Sequence, residues 1–214
     1  MRTMQCFLFS TLAAVTAAAA DETAVRLENA VAVLNAAMSA EHGIQEKIVG
    51  ADCIAVIPGF KKVAAVVGAG FGRGFLSCRT GNGWSAPAAV TLESGSLGVQ
   101  LGGESIDIVV LSLDKERRSK LLSDRFAIGS DASAAWGNGK TAHDDPNAKI
   151  LFYGHTKGAF AGFGLDGATL KPDESSNKAL YGKTVTNRDI VEGGTQAPAV
   201  AQPLMAKLGQ TPSR

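Results

Sequence analysis

Apolar residues recur at helical spacing early in the chain, and this spacing predicts an amphipathic helix over residues 23–42. The apolar stripe of this helix consists of Leu27, Val31, Leu34 and Met38, widened by Ala30 and Ala37. Gly43 is expected to end the helix, and a shorter helix is predicted over residues 44–50. The pattern therefore predicts two N-terminal helices over about residues 23–50.

Short apolar runs bounded by turn residues replace the helical pattern from residue 53 to about residue 170. The first run ends at the turn signal Pro58-Gly59, and residues 129–149, rich in small and polar residues, are expected to form a long excursion. Strands are predicted over residues 54–57, 63–67, 68–75, 84–92, 97–101, 106–113, 150–156 and 159–165. Strands this short and closely spaced predict an α+β fold: a mainly antiparallel, strongly curved or barrel-like sheet, with the N-terminal helices and a helical tail over about residues 176–208 packed outside.

One predicted strand carries glycine at every second position: Gly68, Gly70, Gly72 and Gly74. Because strand side chains alternate between faces, one face of this segment is bare backbone, and the other carries Phe71 and Arg73. A glycine face weakens a strand unless something approaches it closely. These glycines are therefore expected to be structural, in a strongly bent strand or against an element packed tightly on them.

Residues 1–20 have the organisation of a secretory signal peptide. Arg2 supplies the positive start, residues 6–15 an apolar core, and Ala18-Ala19-Ala20 a small-residue cleavage site. The apolar core is too short for a transmembrane helix, and an uncleaved N-terminal anchor is the alternative. We therefore expect an exported protein that is periplasmic or secreted, with peripheral attachment to the membrane as a further option. Residues 21–214 are expected to form a single domain.

Cleavage after Ala20 would leave two cysteines, Cys53 and Cys78. In an oxidising compartment such a pair is a candidate disulfide, which would stabilise the fold by about 3.5 kcal/mol in the chain-entropy estimate. Two free, buried cysteines are the alternative, and the sequence leaves both states open.

Composition narrows the class of protein. The chain has 21 basic and 20 acidic residues among 214, and 45% of its residues are hydrophobic. This hydrophobic content with almost no net charge excludes a disordered protein. The lack of a basic excess argues against nucleic acid as a partner.

No motif for cofactor, metal or catalytic chemistry is complete. The glycine run has Arg73 where the third glycine of a dinucleotide-binding fingerprint belongs, and the sequence has neither a P-loop nor a zinc signature. Ser105 lacks the nucleophile-elbow pattern, and the segment His143-Asp144-Asp145-Pro146 is typical of a solvated turn. We therefore expect no cofactor, no metal and no catalytic residue; a hydrolase that uses Ser105 or the His143 segment is the alternative.

Five basic residues near predicted turns or in the glycine strand are candidate ligands for an anionic lipid head group. Lys and Arg side chains on adjacent turns can bind a phosphate or a carboxylate. Ordinary solvated charge is the alternative for each of them. The candidates are Lys61, Lys62, Arg73, Arg79 and Lys157.

Several short segments, taken in their order along the chain, indicate a protein family. They are residues 54–58 (IAVIP), the glycine run 68–74, and residues 84–88 (WSAPA), 100–104 (QLGGE), 129–135 (GSDASAA), 157–162 (KGAFAG), 179–182 (ALYG) and 185–190 (VTNRDI). In this order they resemble the SYLF domain, a lipid-binding family with actin-regulating eukaryotic members and many exported bacterial ones. The resemblance covers roughly residues 24–208.

The resemblance implies a non-enzymatic module that binds membrane lipid or another amphiphile at the cell envelope, with anionic phospholipid or phosphoinositide-like head groups as ligands. Some eukaryotic members also bind actin, which is not expected of an exported bacterial protein. In the family an N-terminal amphipathic segment engages lipid, but the helix over residues 23–42 has only Arg26 as a basic residue on its polar face, so its stripe is expected to lie in the core. A structural or protein-interaction role in the envelope, without lipid specificity, is the alternative.

Overall fold

The computed structural model describes residues 6–39, 44–63, 69–81, 83–94, 105–128, 132–136, 149–156 and 168–211. Two helices come first, α1 (Cys6–Ser39) and α2 (Gln45–Gly50). The strands are β1 (Cys53–Val63), β2 (Ala69–Thr80), β3 (Gly83–Trp84), β4 (Ala88–Ser94), β5 (Ser105–Ser112), β6 (Phe126–Ala127), β7 (Ala132–Trp136), β8 (Ile150–Thr156) and β9 (Thr169–Pro172). The later helices are α3 (Arg118–Leu121), α4 (Glu174–Tyr181), α5 (Asn187–Val191) and α6 (Gln202–Gly209), with 3-10 turns at Lys115–Arg117 and Ala199–Ala201.

The described strands form one sheet in the order β6-β9-β4-β2-β1-β5-β8-β7, and β3 pairs with the end of β2. Neighbouring strands are antiparallel, except for β7 and β8, which run parallel. The sheet curls strongly into a half-barrel, and the N-terminal helix and the C-terminal helices pack against it. The predicted α+β class and the mainly antiparallel, curved sheet are confirmed.

Each face of the sheet carries a buried apolar cluster, which is why much of the strand sequence is nearly continuously apolar. One face packs against α1, α2 and α6, with Leu27 of α1 fully buried. The opposite face packs around Phe60, against α5 and residues 121–128. The apolar stripe of the first helix therefore lies in the core, although Val31 and Met38 are only partly buried.

The first predicted strand does not end at Pro58-Gly59; instead, β1 continues through a bulge. The register between β1 and β5 shifts between Ile57 and Phe60. Gly59 has φ = 62°, and its N–H donates to Asp107 Oδ1 on β5 at 2.9 Å. A bulge tolerates Pro58, which has no N–H for the ladder, and a positive φ at glycine, so the residues of a turn fit inside a strand.

Other element boundaries also differ from the predictions. The run predicted as one strand over residues 84–92 is divided into β3 and β4, with Pro87, which cannot donate to a ladder, between them. The excursion over residues 129–149 contains the strand β7. The first helix is described from Cys6 onward, through an alanine-rich stretch of high helix propensity, and cleavage after Ala20 stays a prediction. Several predictions fall outside the described residues. They concern Gly43, Gly68, the strands predicted over 97–101 and 159–165, and residues 64–67 of the strand predicted over 63–67.

The glycine face of β2 is covered at close range by its neighbour β1. A Cβ built on Gly72 would lie 2.6 Å from Ile57 Cγ2 and 2.9 Å from Phe60 Cδ2. Gly70 lies against the same phenyl ring, and Gly74 lies against the backbone of β1. Bare backbone in β2 therefore provides the space for the side chains that β1 turns inward at its bulge.

Cys53 and Cys78 are paired in the register of β1 and β2 and are joined by a disulfide bond with an Sγ–Sγ distance of 2.05 Å. Both residues are buried. Of the two states that the sequence left open, the structure contains the bonded one. The bond links the two strands at the end of β2 that lies away from the glycines.

Candidate functional site

Four charged side chains from three distant parts of the chain meet beside α1: Glu22, Arg26, Arg73 and Asp173. Arg73, on β2, has its Nε 3.5 Å from Asp173 Oδ2 and its Nη1 3.7 Å from Glu22 Oε1. Arg26 Nη2 donates to Glu22 Oε1 at 2.8 Å, and Arg26 Nη1 lies 3.9 Å from Asp173 Oδ2. This ion cluster connects the first helix to β2 and to the start of α4.

Asp173 is the buried acid of the cluster and the N-cap of α4. It accepts hydrogen bonds from the Ser176 N–H at 3.0 Å, the Ser176 hydroxyl at 2.8 Å and the Ser175 hydroxyl at 2.7 Å. Burial by itself would raise the pKa of Asp173, but these hydrogen bonds and the charge of Arg73 outweigh burial, so the pKa is lowered. The carboxylate is therefore held in its ionised form, opposite Arg73.

We expect Asp173→Ala to lower the free energy of unfolding by about 2 kcal/mol at neutral pH, because it removes a helix cap and hydrogen bonds to a charged acceptor. A carboxyl whose pKa is lowered in the folded state stabilises above its unfolded-state pKa, about 3.9, and this contribution is lost as the pH falls through the folded-state value. Urea unfolding of the wild type and the variant should therefore converge in acid. A difference that stayed constant from neutral pH to well below pH ~3.9 would contradict this account. Glu174→Ala, at the exposed neighbouring residue, is the control.

An exposed aromatic ring lies between two basic residues on the face of the sheet that carries the ion cluster. Phe71 is 48% exposed, and the guanidinium carbon of Arg73 lies 5.7 Å from the centre of its ring. Lys61 is exposed and pairs with Phe71 in the register of β1 and β2, so the two are cross-strand neighbours on one face. Glu93 of β4 is the register partner of Phe71 on the other side of β2, but its carboxylate forms an ion pair with Lys171. We call Lys61, Phe71 and Arg73 the Phe71 patch.

A groove of about 530 Å³ adjoins this patch, between α1 and the bulge of β1. Small side chains of α1, among them Ala32 and Ala36, line one side, and Pro58 lines the other. Glu22 belongs both to the groove and to the ion cluster, so the groove and the Phe71 patch are neighbours. Val25, which is 51% exposed, forms part of the groove wall.

The structure brings together some of the basic residues that the sequence suggested and separates others. Lys61 and Arg73 share the Phe71 patch, and Lys62 is the next residue of β1. Arg79 lies near the other end of β2, six residues and roughly 20 Å along the strand from Arg73. Lys157 lies outside the described residues.

The acidic half of the ion cluster was missed from the sequence. Nothing in the sequence connects Glu22 with Asp173, which is 151 residues further along the chain. Asp173 did carry a signal, because an Asp followed by an acidic residue such as Glu174 is typical of the start of a helix. Phe71 carried one as well, since a ring opposite a bare glycine face must project from the other side of the strand.

Three further features bear on the kind of site that the described residues can form. In this part of the chain no group of three His, Cys, Asp or Glu side chains is arranged to hold a metal ion. Ser105 is exposed at the start of β5, and the His143 segment proposed with it lies outside the described ranges. None of the described helices is both long enough and apolar enough to cross a membrane.

Comparison with known protein families adds independent evidence. A family described as "Ysc84: Las17-binding protein actin regulator" matches residues 93–211 of the chain. The match runs from the end of β4 to just beyond α6 and covers more than half of the 214 residues. No solved structure matches the chain.

Curated relatives carry the same family's names. An SH3 domain-containing protein of Schizosaccharomyces pombe is 32% identical over 68% of this chain and 37% of its own length. Protein YSC84 of Saccharomyces cerevisiae is 28% identical over 68% of this chain and 34% of its own, and the SH3 domain-containing YSC84-like protein 1 of Homo sapiens is 28% identical over 74% and 50%. The chain thus spans between about a third and a half of these relatives. With the family match over its C-terminal half, the chain belongs to the Ysc84 family, the family of the SYLF domain.

Proposed function

We propose that this chain is an exported, non-enzymatic protein that binds anionic lipid at a membrane surface of the cell envelope through the Phe71 patch. Its family is described as a binding protein and regulator, which supports a binding role rather than turnover of a substrate. Export rests on the signal peptide predicted over residues 1–20. The observation that carries the proposal is the exposed ring of Phe71 between Lys61 and Arg73.

An aromatic ring flanked by cations suits the boundary between lipid head groups and acyl chains. The ring of Phe71 would be buried at this boundary, while Lys61 and Arg73 would bind phosphates. Lys61 is exposed and has no ion-pair partner among the described residues, so its ammonium group is available. Arg73 is held 3.5 Å from Asp173, so its guanidinium is oriented before a lipid arrives.

In this proposal α1 supports the binding surface and is not the membrane-contacting element. Its apolar stripe is used in the core, where Leu27 and Leu34 are fully buried. Its single basic residue over this stretch, Arg26, bonds Glu22 and also donates to Ser176 Oγ at 2.9 Å. Neither the apolar stripe nor the cation of α1 is therefore available to a bilayer.

Vesicle co-sedimentation tests the proposal. The chain should start at Asp21, because the apolar residues 6–19 would bind vesicles by themselves and the described core begins only at Thr23. We expect binding to phosphatidylcholine vesicles that contain phosphatidylglycerol. Lys61→Glu should weaken it by at least about tenfold, because it changes the local charge by two units, each worth about 1 kcal/mol near an anionic surface. Phe71→Ser should weaken it by about tenfold through lost apolar burial.

Lys47→Glu is the matched control, since it makes the same charge change at an exposed lysine of α2. This variant should bind like the wild type. Absence of binding to any vesicle would exclude the lipid function. An equal loss of binding in the Lys47 and Lys61 variants would exclude the Phe71 patch as its site.

A protein partner is the second candidate. The LAS seventeen-binding protein 3 of Saccharomyces cerevisiae, 27% identical over 64% of this chain, is named for a protein that it binds. In this chain the exposed side chains of Phe71 and Val25, beside the groove, would provide the apolar contact. Capture of one defined protein, lost in Phe71→Ser, from a chain that binds no vesicles would favour this candidate over lipid.

A further inference from the structure

A second site with basic side chains lies near the end of β2 that is remote from the Phe71 patch. It is a cavity of about 220 Å³ whose lining residues include Arg79 and Lys115. The remaining wall includes Asp52 and the turn residues Gly81 and Gly83. Among the described residues, none lines both this cavity and the groove beside α1, so the two are separate features.

The guanidinium of Arg79, one of the lining residues, is held in position by its neighbours. Its central carbon lies 4.1 Å from the centre of the Trp84 ring, and its Nη2 donates to Thr211 Oγ1 at 3.3 Å. Trp84 Nε1 donates to the same hydroxyl oxygen at 3.0 Å, so the ring over which the Arg79 guanidinium lies is also fixed. Arg118 Nη2 donates to the carbonyl of Arg79 at 2.8 Å and holds the backbone. A group positioned in this way loses little conformational freedom when it binds a ligand.

The carboxylate at the cavity does not oppose an anion. The Asp52 side chain is fully buried, and Arg118 binds it through Nε at 2.9 Å from Oδ2 and Nη2 at 2.5 Å from Oδ1. The negative charge of Asp52 is therefore matched by Arg118. Lys115 is exposed and, within the described ranges, forms no ion pair. The described lining residues thus include two basic ones, Arg79 and Lys115, while the charge of the acid among them is already paired.

The shape and chemistry of the cavity suit a phosphate group. The cavity volume of about 220 Å³ equals that of about seven water molecules at ~30 Å³ each. This is enough for a tetrahedral oxyanion with part of its hydration shell. A guanidinium binds two oxygens of such an anion through its planar fork, and an ammonium adds a compact charge. A phosphate monoester carries a charge of about −1.5 to −2 at neutral pH, which matches two cations better than a carboxylate does. We propose that this cavity binds a phosphate monoester or free phosphate, with Arg79 and Lys115 as its charged ligands.

The test is a titration followed by amide NMR at constant ionic strength, with inorganic phosphate in one arm and soluble dihexanoyl phosphatidic acid in the other. We expect saturable shifts at the amides of Gly81 and Gly83 and at the Trp84 indole N–H. Lys115→Gln should weaken binding by about tenfold, the loss of one hydrogen bond to a charged group. Because Lys115 is exposed and has no ion-pair partner among the described residues, this variant should fold normally. Lys120→Gln, at an exposed lysine of α3, is the matched control and should bind like the wild type.

Each arm of the titration has a defined meaning. Saturation in both arms, or with inorganic phosphate alone, would support a site for a soluble phosphate compound. Saturation with the lipid alone would support a site for a phosphate head group. Shifts that grow linearly in both arms, that chloride reproduces, or that Lys115→Gln and Lys120→Gln alter equally would overturn the proposal. Because the readout is local to this cavity, its failure would be separate from failure of vesicle binding through the Phe71 patch.

Discussion

Gly72→Val should lower the free energy of unfolding by about 3 kcal/mol, the upper part of the usual range for an overpacked core. The first added atom, Cβ, would already lie 2.6 Å from Ile57 Cγ2 and 2.9 Å from Phe60 Cδ2. Both neighbours are completely buried, so neither can move aside without displacing the core around it. Urea unfolding of the wild type and the variant measures the difference.

Gly81→Ala is the control for this prediction, because a Cβ at Gly81 would meet no atom within 4 Å and its backbone angles do not require glycine. This variant should unfold within about 0.5 kcal/mol of the wild type, as surface substitutions usually do. If Gly72→Val were equally mild, the glycine face of β2 would not be in contact with β1. The packing of Phe60 against β2 would then be wrong.

Arg118→Met should lower the free energy of unfolding by about 3 kcal/mol or more, because it leaves a buried carboxylate without its cation. The Asp52 side chain is fully buried, and Arg118 binds both of its oxygens. The substitution also removes the donor to the carbonyl of Arg79. Chemical denaturation at neutral pH measures the loss.

Two variants show whether the buried charge is the cause. Arg188→Met breaks an exposed ion pair with Glu192, 3.0 Å between Nη1 and Oε2, and should cost less than about 1 kcal/mol. Adding Asp52→Asn to Arg118→Met should recover part of the stability, because a neutral amide is easier to bury than an unpaired carboxylate. A double variant no more stable than Arg118→Met alone would contradict the charge argument.

Most of the fold could be predicted from local patterns, and the errors have a common cause. The spacing of Leu27 and Leu34 was enough to predict a helix that packs on the sheet, and alternating glycines were enough to predict either a strong bend or a closely packed neighbour. Pro58-Gly59 was misread as a turn, because the same residues suit a bulge when a partner strand is present. That partner is β5, whose Asp107 accepts the N–H of Gly59. A single segment read in isolation contains no information about it.

The candidate sites depended still more on contacts between distant segments. Basic residues can be recognised one at a time, but the sequence grouped Arg79 with Arg73, whereas the strand separates them by roughly 20 Å. The pairing of Lys61 with Phe71 follows from the register of β1 and β2. Arg79 and Lys115 line the same cavity because the chain returns beside the end of β2.

Hydrophobic periodicity and backbone preferences act over a few residues, so the amino-acid order sufficed for the class of fold, the apolar face of the first helix and the structural role of the glycines. The prediction of a signal peptide and the family resemblance also rest on local sequence. The meeting of Glu22, Arg73 and Asp173 required folding, because these residues become neighbours only when α1, β2 and α4 pack together. The same holds for the exposure of Phe71 and for the cavity at Arg79, since each depends on strand register and on which surfaces other elements cover.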